Sequence, residues 1–181
     1  MGKRSERLKL RSIIEGQREA CEQVIFEHYK SIYCFLVYLS GNANLSEDLT
    51  QETFISAWAN VDQFEGRASL KSWLHRIAYN KFLDSERSSK KRSNVTASLK
   101  KDDSNEKFDP LHRITQDEHS RILFDAMHKL EQAEYAVIVL HYIQDFSYRE
   151  MANILNEPVG TIKWRTNKAL KKLREILTGR I

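Results

Sequence analysis

Residues Phe146 to Leu177 read FSYREMANILNEPVGTIKWRTNKALKKLREIL, a short helix, a break and a basic second helix. Ser147 can cap a helix, and Glu150 stands three residues later, the spacing of a capping box. Met151, Ala152 and Leu155 give that helix one apolar side. Glu157-Pro158-Val159-Gly160 breaks it, because proline disfavours helix at the preceding residue and glycine has little helical preference. A second helix is expected from about Thr161. It carries Lys163, Arg165, Lys168, Lys171, Lys172 and Arg174 against the single acid Glu175. This is the outline of a helix-turn-helix. A second helix so basic suits the major groove and its flanking phosphates. A solvated charged face on an ordinary helical hairpin would have the same composition.

Helical periodicity recurs along most of the chain. Val24, Ile25, Tyr29, Ile32, Tyr33, Leu36 and Val37 predict a helix from about Arg18 to Leu39, ended by Gly41-Asn42. A second helix is expected from Asn44 or Ser46, with Phe54, Ala57, Trp58 and Val61 on one side and Glu47, Asp48, Gln51 and Glu52 on the other. Asp62–Ser69 reads as a loop around Gly66. Leu70, Trp73, Leu74, Ile77 and Ala78 then mark a third helix. Periodicity is lost from about Ser93 to Arg113, where Ser, Asn, Lys and Asp surround Pro110. It returns with Ile122, Leu123, Ala126, Met127 and Leu130, and again with Ala136, Val137, Leu140 and Ile143. The two helices these predict would pack against the helix-turn-helix pair. The expected fold is all-α. Two small helical domains, residues 1–92 and 114–181, are joined by a flexible linker at 93–113, which permits an extended or a compact autoinhibited arrangement.

The formal net charge of +4 conceals segregation. Basic residues gather at the N-terminus, at Arg87–Arg92 and in the last helix, while acids gather at Glu47–Glu52 and Asp102–Asp109. Such a pattern suits nucleic acid at some surfaces and a basic protein partner at another. Cys21 and Cys34 have neither metal-ligand nor CxxC spacing, which predicts free, partly buried thiols in a reducing cytoplasm. The six histidines are scattered and read as structural or solvated. The N-terminal MGKRSERLKLRS has no apolar stretch behind it, so no secretion signal is expected. Ala136–Leu140 is far too short to cross a bilayer.

Three segments carry a resemblance to a known family: SEDLTQETFISAW at Ser46–Trp58, SLKSWLHRIAYNKFLDSER at Ser69–Arg87, and FSYREMANILNEPVGTIK at Phe146–Lys163. In this order, separated by a polar tract, they resemble an extracytoplasmic-function sigma factor of bacterial RNA polymerase. With the flanking helices the resemblance covers nearly all of the chain. It implies a protein that binds core polymerase and directs it to a set of promoters. The first domain would read and help open the −10 element, and the second would read the −35 element as duplex. The linker would pass near the active centre and RNA exit path. The resemblance implies no catalytic site, cofactor, metal or small-molecule substrate. It also implies an anti-sigma protein that blocks polymerase docking.

The resemblance assigns roles to particular residues. Asp48, Gln51 and Glu52 would dock on a coiled coil of the largest polymerase subunit, with Phe54 and Trp58 holding their helix to its own domain. A solvated acidic face near a helix N-terminus is the plainer account of the same acids. Gln63, Phe64, Arg67 and Ser69, in a loop that also contains Glu65, would form a pocket for an unstacked −10 base. Asn80 would lie toward the −10 bases, and Arg76, Lys81 and Arg87 would track phosphates. Trp73 shares a face with Leu70 and Ile77 and is expected in the core. Tyr79, a departure from the family pattern, adds a stacking surface or covers a helix edge. Lys90-Lys91-Arg92 steers DNA or forms a basic helix end. At the −35 element, Arg165 and Lys168 would meet purine edges or nearby phosphates, flanked by Thr161, Lys163 and Asn167. Arg149 and Lys172 would join them. Ile162, Ala169, Leu170 and Leu173 should face the core. Trp164 and Thr166 replace a small and an apolar residue. Trp164 lies either on thymine methyls or against a neighbouring helix, and Thr166 is expected to weaken the core slightly.

Two other functions fit parts of the chain. A stand-alone helix-turn-helix regulator explains the last third but leaves Ser46–Arg87 without a purpose, and no dimerisation seam is evident. A nucleic-acid enzyme would need a rigid carboxylate cluster or an activated nucleophile. The acids Asp102, Asp103, Glu106 and Asp109 fall in a tract without periodicity.

Overall fold

The structure is a computed structural model, and it describes residues 18–93 and 118–179. The basic N-terminal segment, the linker from residue 94 and the acids at Asp102–Asp109 lie outside the described residues. No strand occurs among the described residues, as the periodicity predicts. None of their helices is long and apolar enough to cross a membrane.

Helix α1 (Arg18–Ser40) buries Val24, Ile32, Phe35 and Leu36. It stops at Gly41, whose φ of 63° suits a residue without a Cβ and whose N–H donates to the Val37 carbonyl at 2.9 Å. Helix α2 (Ala43–Ala59) begins at once. Its cap is Asn42, not the Asn44 or Ser46 expected from sequence. Asn42 has extended backbone, so its side-chain oxygen accepts the Leu45 N–H at 3.0 Å. Ser46 is buried instead, donating its hydroxyl to the Asn42 carbonyl at 2.7 Å. The short connection folds α1 and α2 into a helical hairpin with Tyr29 stacked over Phe54.

A 3₁₀ turn (Val61–Gln63) and a loop lead to α3 (Leu70–Ser93). The Ser69 hydroxyl accepts the Ser72 N–H at 3.2 Å and so starts that helix. Leu70, Leu74, Ala78 and Phe82 bury one side of α3 against the hairpin.

In the second half, α4 (Glu118–Met127) and α5 (Gln132–Ile138) precede a single π turn (Val139–Ile143). The helix-turn-helix follows as α6 (Tyr148–Leu155) and α7 (Val159–Thr178). The capping box forms as the sequence predicts: the Ser147 N–H donates to Glu150 at 2.9 Å, and the Glu150 N–H donates to the Ser147 hydroxyl at 3.4 Å.

The break lies slightly earlier than expected. Asn156 takes the left-handed conformation (φ 55°) that ends α6, and Pro158 is the residue that starts α7. Gly160 therefore sits inside the first turn of α7. Ile162, Thr166, Ala169 and Leu173 are buried in one line along that helix. Leu170 was expected with them, but it lies at the rim of that line and is 37% exposed. Thr166 keeps its place in the core by donating its hydroxyl to the Ile162 carbonyl at 2.9 Å.

The two halves pack directly together through α3 and α6. His75 of α3 is fully buried between Phe35 of α1 and Phe146, which precedes α6. Its Nδ1–H donates to the Lys71 carbonyl at 2.8 Å. Burial is the main cause that lowers its pKa to about 3, so the ring is neutral.

Candidate nucleic-acid and polymerase interfaces

Helix α2 turns Ser46, Leu49, Thr50, Thr53, Phe54 and Ala57 inward. Asp48, Gln51 and Glu52 are left exposed on the opposite side, as the helical spacing predicts. Ile55 lies on the same stripe, seven residues after Asp48 and four after Gln51, and is 68% exposed. Its heptad spacing from Asp48 is the only signal of this position in the sequence. Glu52 also meets Lys81 Nζ at 3.5 Å, which ties the stripe to α3.

The second surface starts in the loop before α3. Phe64 packs edge-on against Trp73 with ring centroids 5.1 Å apart. These two rings, with Gln63, Arg67, Arg76 and Asn153, line a cavity of about 320 Å³. Gly66 takes φ 69° at the tip of the loop. Arg67 pairs with Glu65, and Gln63 donates to the Asn60 side chain at 3.1 Å. Trp73 is half-buried and both packs and lines the cavity. At about 100° per residue, Trp73, Arg76, Asn80 and Arg87 share one face of α3. Arg76, Asn80 and Arg87 are exposed along it. Arg87 pairs with Asp84 at 3.2 Å. Ser69 serves as the start of α3 and points to Ser72, so its first role is structural. The side chains of Lys91 and Arg92 lie outside the described residues.

The third surface is the outer face of α7. Lys163, Trp164, Asn167, Lys171 and Arg174 are exposed and recur at i, i+3, i+4 spacing on one side. Trp164 is 59% exposed and covered by no neighbouring helix, while Lys168 Nζ sits 5.2 Å from its ring centroid. Arg149 on α6 is also exposed, and Thr161 is half-buried.

The remaining cations of α7 have partners inside the protein. Lys168 and Lys172 reach Glu134 at 2.9 and 2.7 Å, and Glu134 is only 2% exposed. Lys172 also meets Glu131 at 3.4 Å. Burial pushes the Glu134 carboxyl upward, but hydrogen bonds from Lys172 and Lys168 outweigh it and hold its pKa below the ordinary value. Arg165 binds Glu157 at 2.6 Å, with its side chain only 16% exposed. Lys163, Lys171 and Arg174 are therefore the freer cations of the helix. In the sequence Lys171 and Arg174 stand out only as basic residues and are not among those expected at the −35 element.

Two family models match the chain: Sigma-70 region 2 over residues 25–92 and Sigma-70, region 4 over residues 126–175. The chain is 29% identical over 177 residues to the ECF RNA polymerase sigma factor SigW of Bacillus subtilis, covering 93% of this chain and 95% of that one. It is 33% identical over 159 residues to the ECF RNA polymerase sigma factor EcfG of Rhodopseudomonas palustris, covering 81% and 79%. Its fold matches the sigma factor RpoE solved with the anti-sigma factor NepR from Bartonella quintana, with a TM-score of 0.68 at 26% identity over 87% of this chain and 96% of that one. A similar match to CnrH, solved with the cytosolic domain of CnrY, has a TM-score of 0.72 at 23% identity over 96% and 97% and supports the fold alone. The exposed faces of α2, α3 and α7 thus belong to a chain of known kind: it is a member of the ECF sigma factors of bacterial RNA polymerase.

Proposed function

We propose that this alternative sigma factor divides its work among the three exposed faces. Asp48, Gln51, Glu52 and Ile55 dock on core polymerase. The cavity at Phe64, Arg67, Trp73 and Arg76 holds an unstacked −10 base, with Asn80, Lys81 and Arg87 along the strand. Lys163, Trp164, Asn167 and Lys171 face the −35 duplex, flanked by Thr161 and Arg149. The working units are residues 1–92, a linker at 93–113, and residues 114–181. The chain acts in the cytoplasm without catalysis or a cofactor of its own. An anti-sigma protein holds it inactive, a reading supported by the relatives solved with such partners.

The observation that carries this reading is the cavity before α3. It combines aromatic faces, an amide and guanidinium groups, as recognition of an unpaired base requires. Run-off transcription with purified core polymerase tests it. Discrete start sites that need both components are expected. Binding of duplex DNA by this chain alone, with no start sites, would replace the reading with that of a stand-alone regulator.

A further inference from the structure

Trp164 stands at the centre of the outer face of α7. At about 100° per residue it lies opposite the buried line of Ile162, Thr166, Ala169 and Leu173. An indole with 59% of its surface in water contributes little to the fold. The surroundings nevertheless hold this ring in place and leave it open. Lys168, four residues later, keeps its Nζ 5.2 Å from the ring centroid. The same ammonium meets the buried Glu134 carboxylate at 2.9 Å. One side of the indole therefore rests against a charge that is already balanced within the protein. On the N-terminal side, toward which helical side chains lean, stands Gly160, and the space where its Cβ would be is open. A partner can approach the first turn of α7 and the indole together.

Chemistry selects the group that fits this ring. Indole carries one N–H donor and no acceptor, and the rest of it is apolar. Among the base edges displayed in the major groove, only thymine offers an apolar group, its 5-methyl. The remaining edges are donors and acceptors, which a carbon ring face would strip of water without giving a hydrogen bond in return. Polar contacts are available from the neighbours instead, because Lys163 and Asn167 are exposed on either side of Trp164. The ring is thus left for the one apolar feature of the groove.

We infer that Trp164 is a specificity-determining residue that reads thymine in the −35 duplex through its 5-methyl group. The inference rests on the assignment of α7 to that duplex. A small side chain at this position would leave the methyl group in water, so Trp164 makes an A·T pair at one step part of promoter choice.

Holoenzyme assembled from the full chain and purified core polymerase tests this on a promoter duplex found by run-off transcription. Each thymine of the −35 element, on either strand, is replaced in turn by deoxyuridine, which removes the methyl group and keeps every hydrogen bond. Binding is measured by competition against the unmodified duplex. Wild type should lose about fourfold in affinity at one or two adjacent positions, the ratio expected when one methyl-sized group is no longer taken from water. Trp164→Ser should bind the unmodified duplex more weakly and show no methyl dependence at those positions, while Trp164→Phe should retain part of it. Wild type indifferent to deoxyuridine at every thymine, or Trp164→Ser with the wild-type dependence, would overturn the inference. Failure of the underlying assignment is read separately, because scrambling the whole −35 duplex would then leave wild-type binding unchanged. Sensitivity to scrambling combined with indifference to deoxyuridine would remove thymine reading alone. Equal melting temperatures for wild type and Trp164→Ser, expected for so exposed a ring, show that the binding change is not a loss of fold.

Discussion

Lys172 of α7 places its ammonium 2.7 Å from the carboxylate of Glu134, a side chain only 2% exposed at the start of α5. Lys168, one turn earlier, reaches the other oxygen of the same group at 2.9 Å. One buried acid thus anchors α7 to α5. These lysines orient α7, and in this arrangement their charge is directed inward. Substituting Glu134 with Gln should lower stability by about 1–3 kcal/mol, because Lys168 and Lys172 lose their shared carboxylate partner, a loss limited by their partial access to water. Thermal unfolding followed by circular dichroism measures it. The Glu134 pKa is depressed in the fold, so its stabilisation is complete above the ordinary value of 4.5 and is lost as pH falls below it.

Lys171 and Lys172 are neighbours in sequence with opposite expected phenotypes. Lys171→Ala should leave the melting temperature unchanged and weaken −35 duplex binding, reducing the slope of log affinity against log salt by about one. Lys172→Ala should lower the melting temperature and change the salt slope little. Anisotropy titrations at several salt concentrations, paired with thermal melts, distinguish them. A full unit of slope lost with Lys172→Ala would return that residue to the DNA surface.

Ile55 contributes little to the fold because most of it is exposed. Ile55→Lys should leave the melting temperature within experimental error and weaken core polymerase binding by at least about tenfold if it is buried there, the order expected for a desolvated apolar anchor. Competition with a labelled sigma factor for purified core reads this directly. An unchanged affinity would confine docking to the polar residues of the stripe.

His75 makes the fold sensitive to acid. Its pKa is lowered from 6.5 to about 3 by burial, so the unfolded chain binds the proton first. Its contribution is fully present above about pH 6.5 and declines by about 1.4 kcal/mol for each pH unit as pH falls toward 3. Denaturant melts at pH 7, 6, 5 and 4 should show this loss in wild type and a flatter profile in His75→Phe. The proton-linked loss should be accompanied by separation of the halves, because His75 is packed between Phe35 of one and Phe146 of the other.

The local features of this protein could be read from its sequence because they depend on residues three or four positions apart. The Ser147–Glu150 box, the apolar faces of α1 to α3 and the outward Asp48–Gln51–Glu52 stripe follow from helical spacing alone. Where only backbone preference decides, the helix ends fall a few residues from the expected positions. Asn42 rather than Asn44 or Ser46 caps α2, and Asn156 rather than the Glu157–Gly160 stretch ends α6.

The partners of Arg165, Lys168 and Lys172 could not be read in the same way. A lysine on a basic helix looks alike in sequence whether it faces phosphate or a buried acid 38 residues away. Tyr79 and His75 show the same limit, since residues from the other half of the chain help to bury each of them. The helical elements, the cap of α6 and the family were already determined by sequence, because they arise from short-range sterics, periodicity and motif. Which cations remain free, and which side chains are buried where the two halves pack, was decided only by the tertiary structure, because burial and charge pairing depend on distance in space.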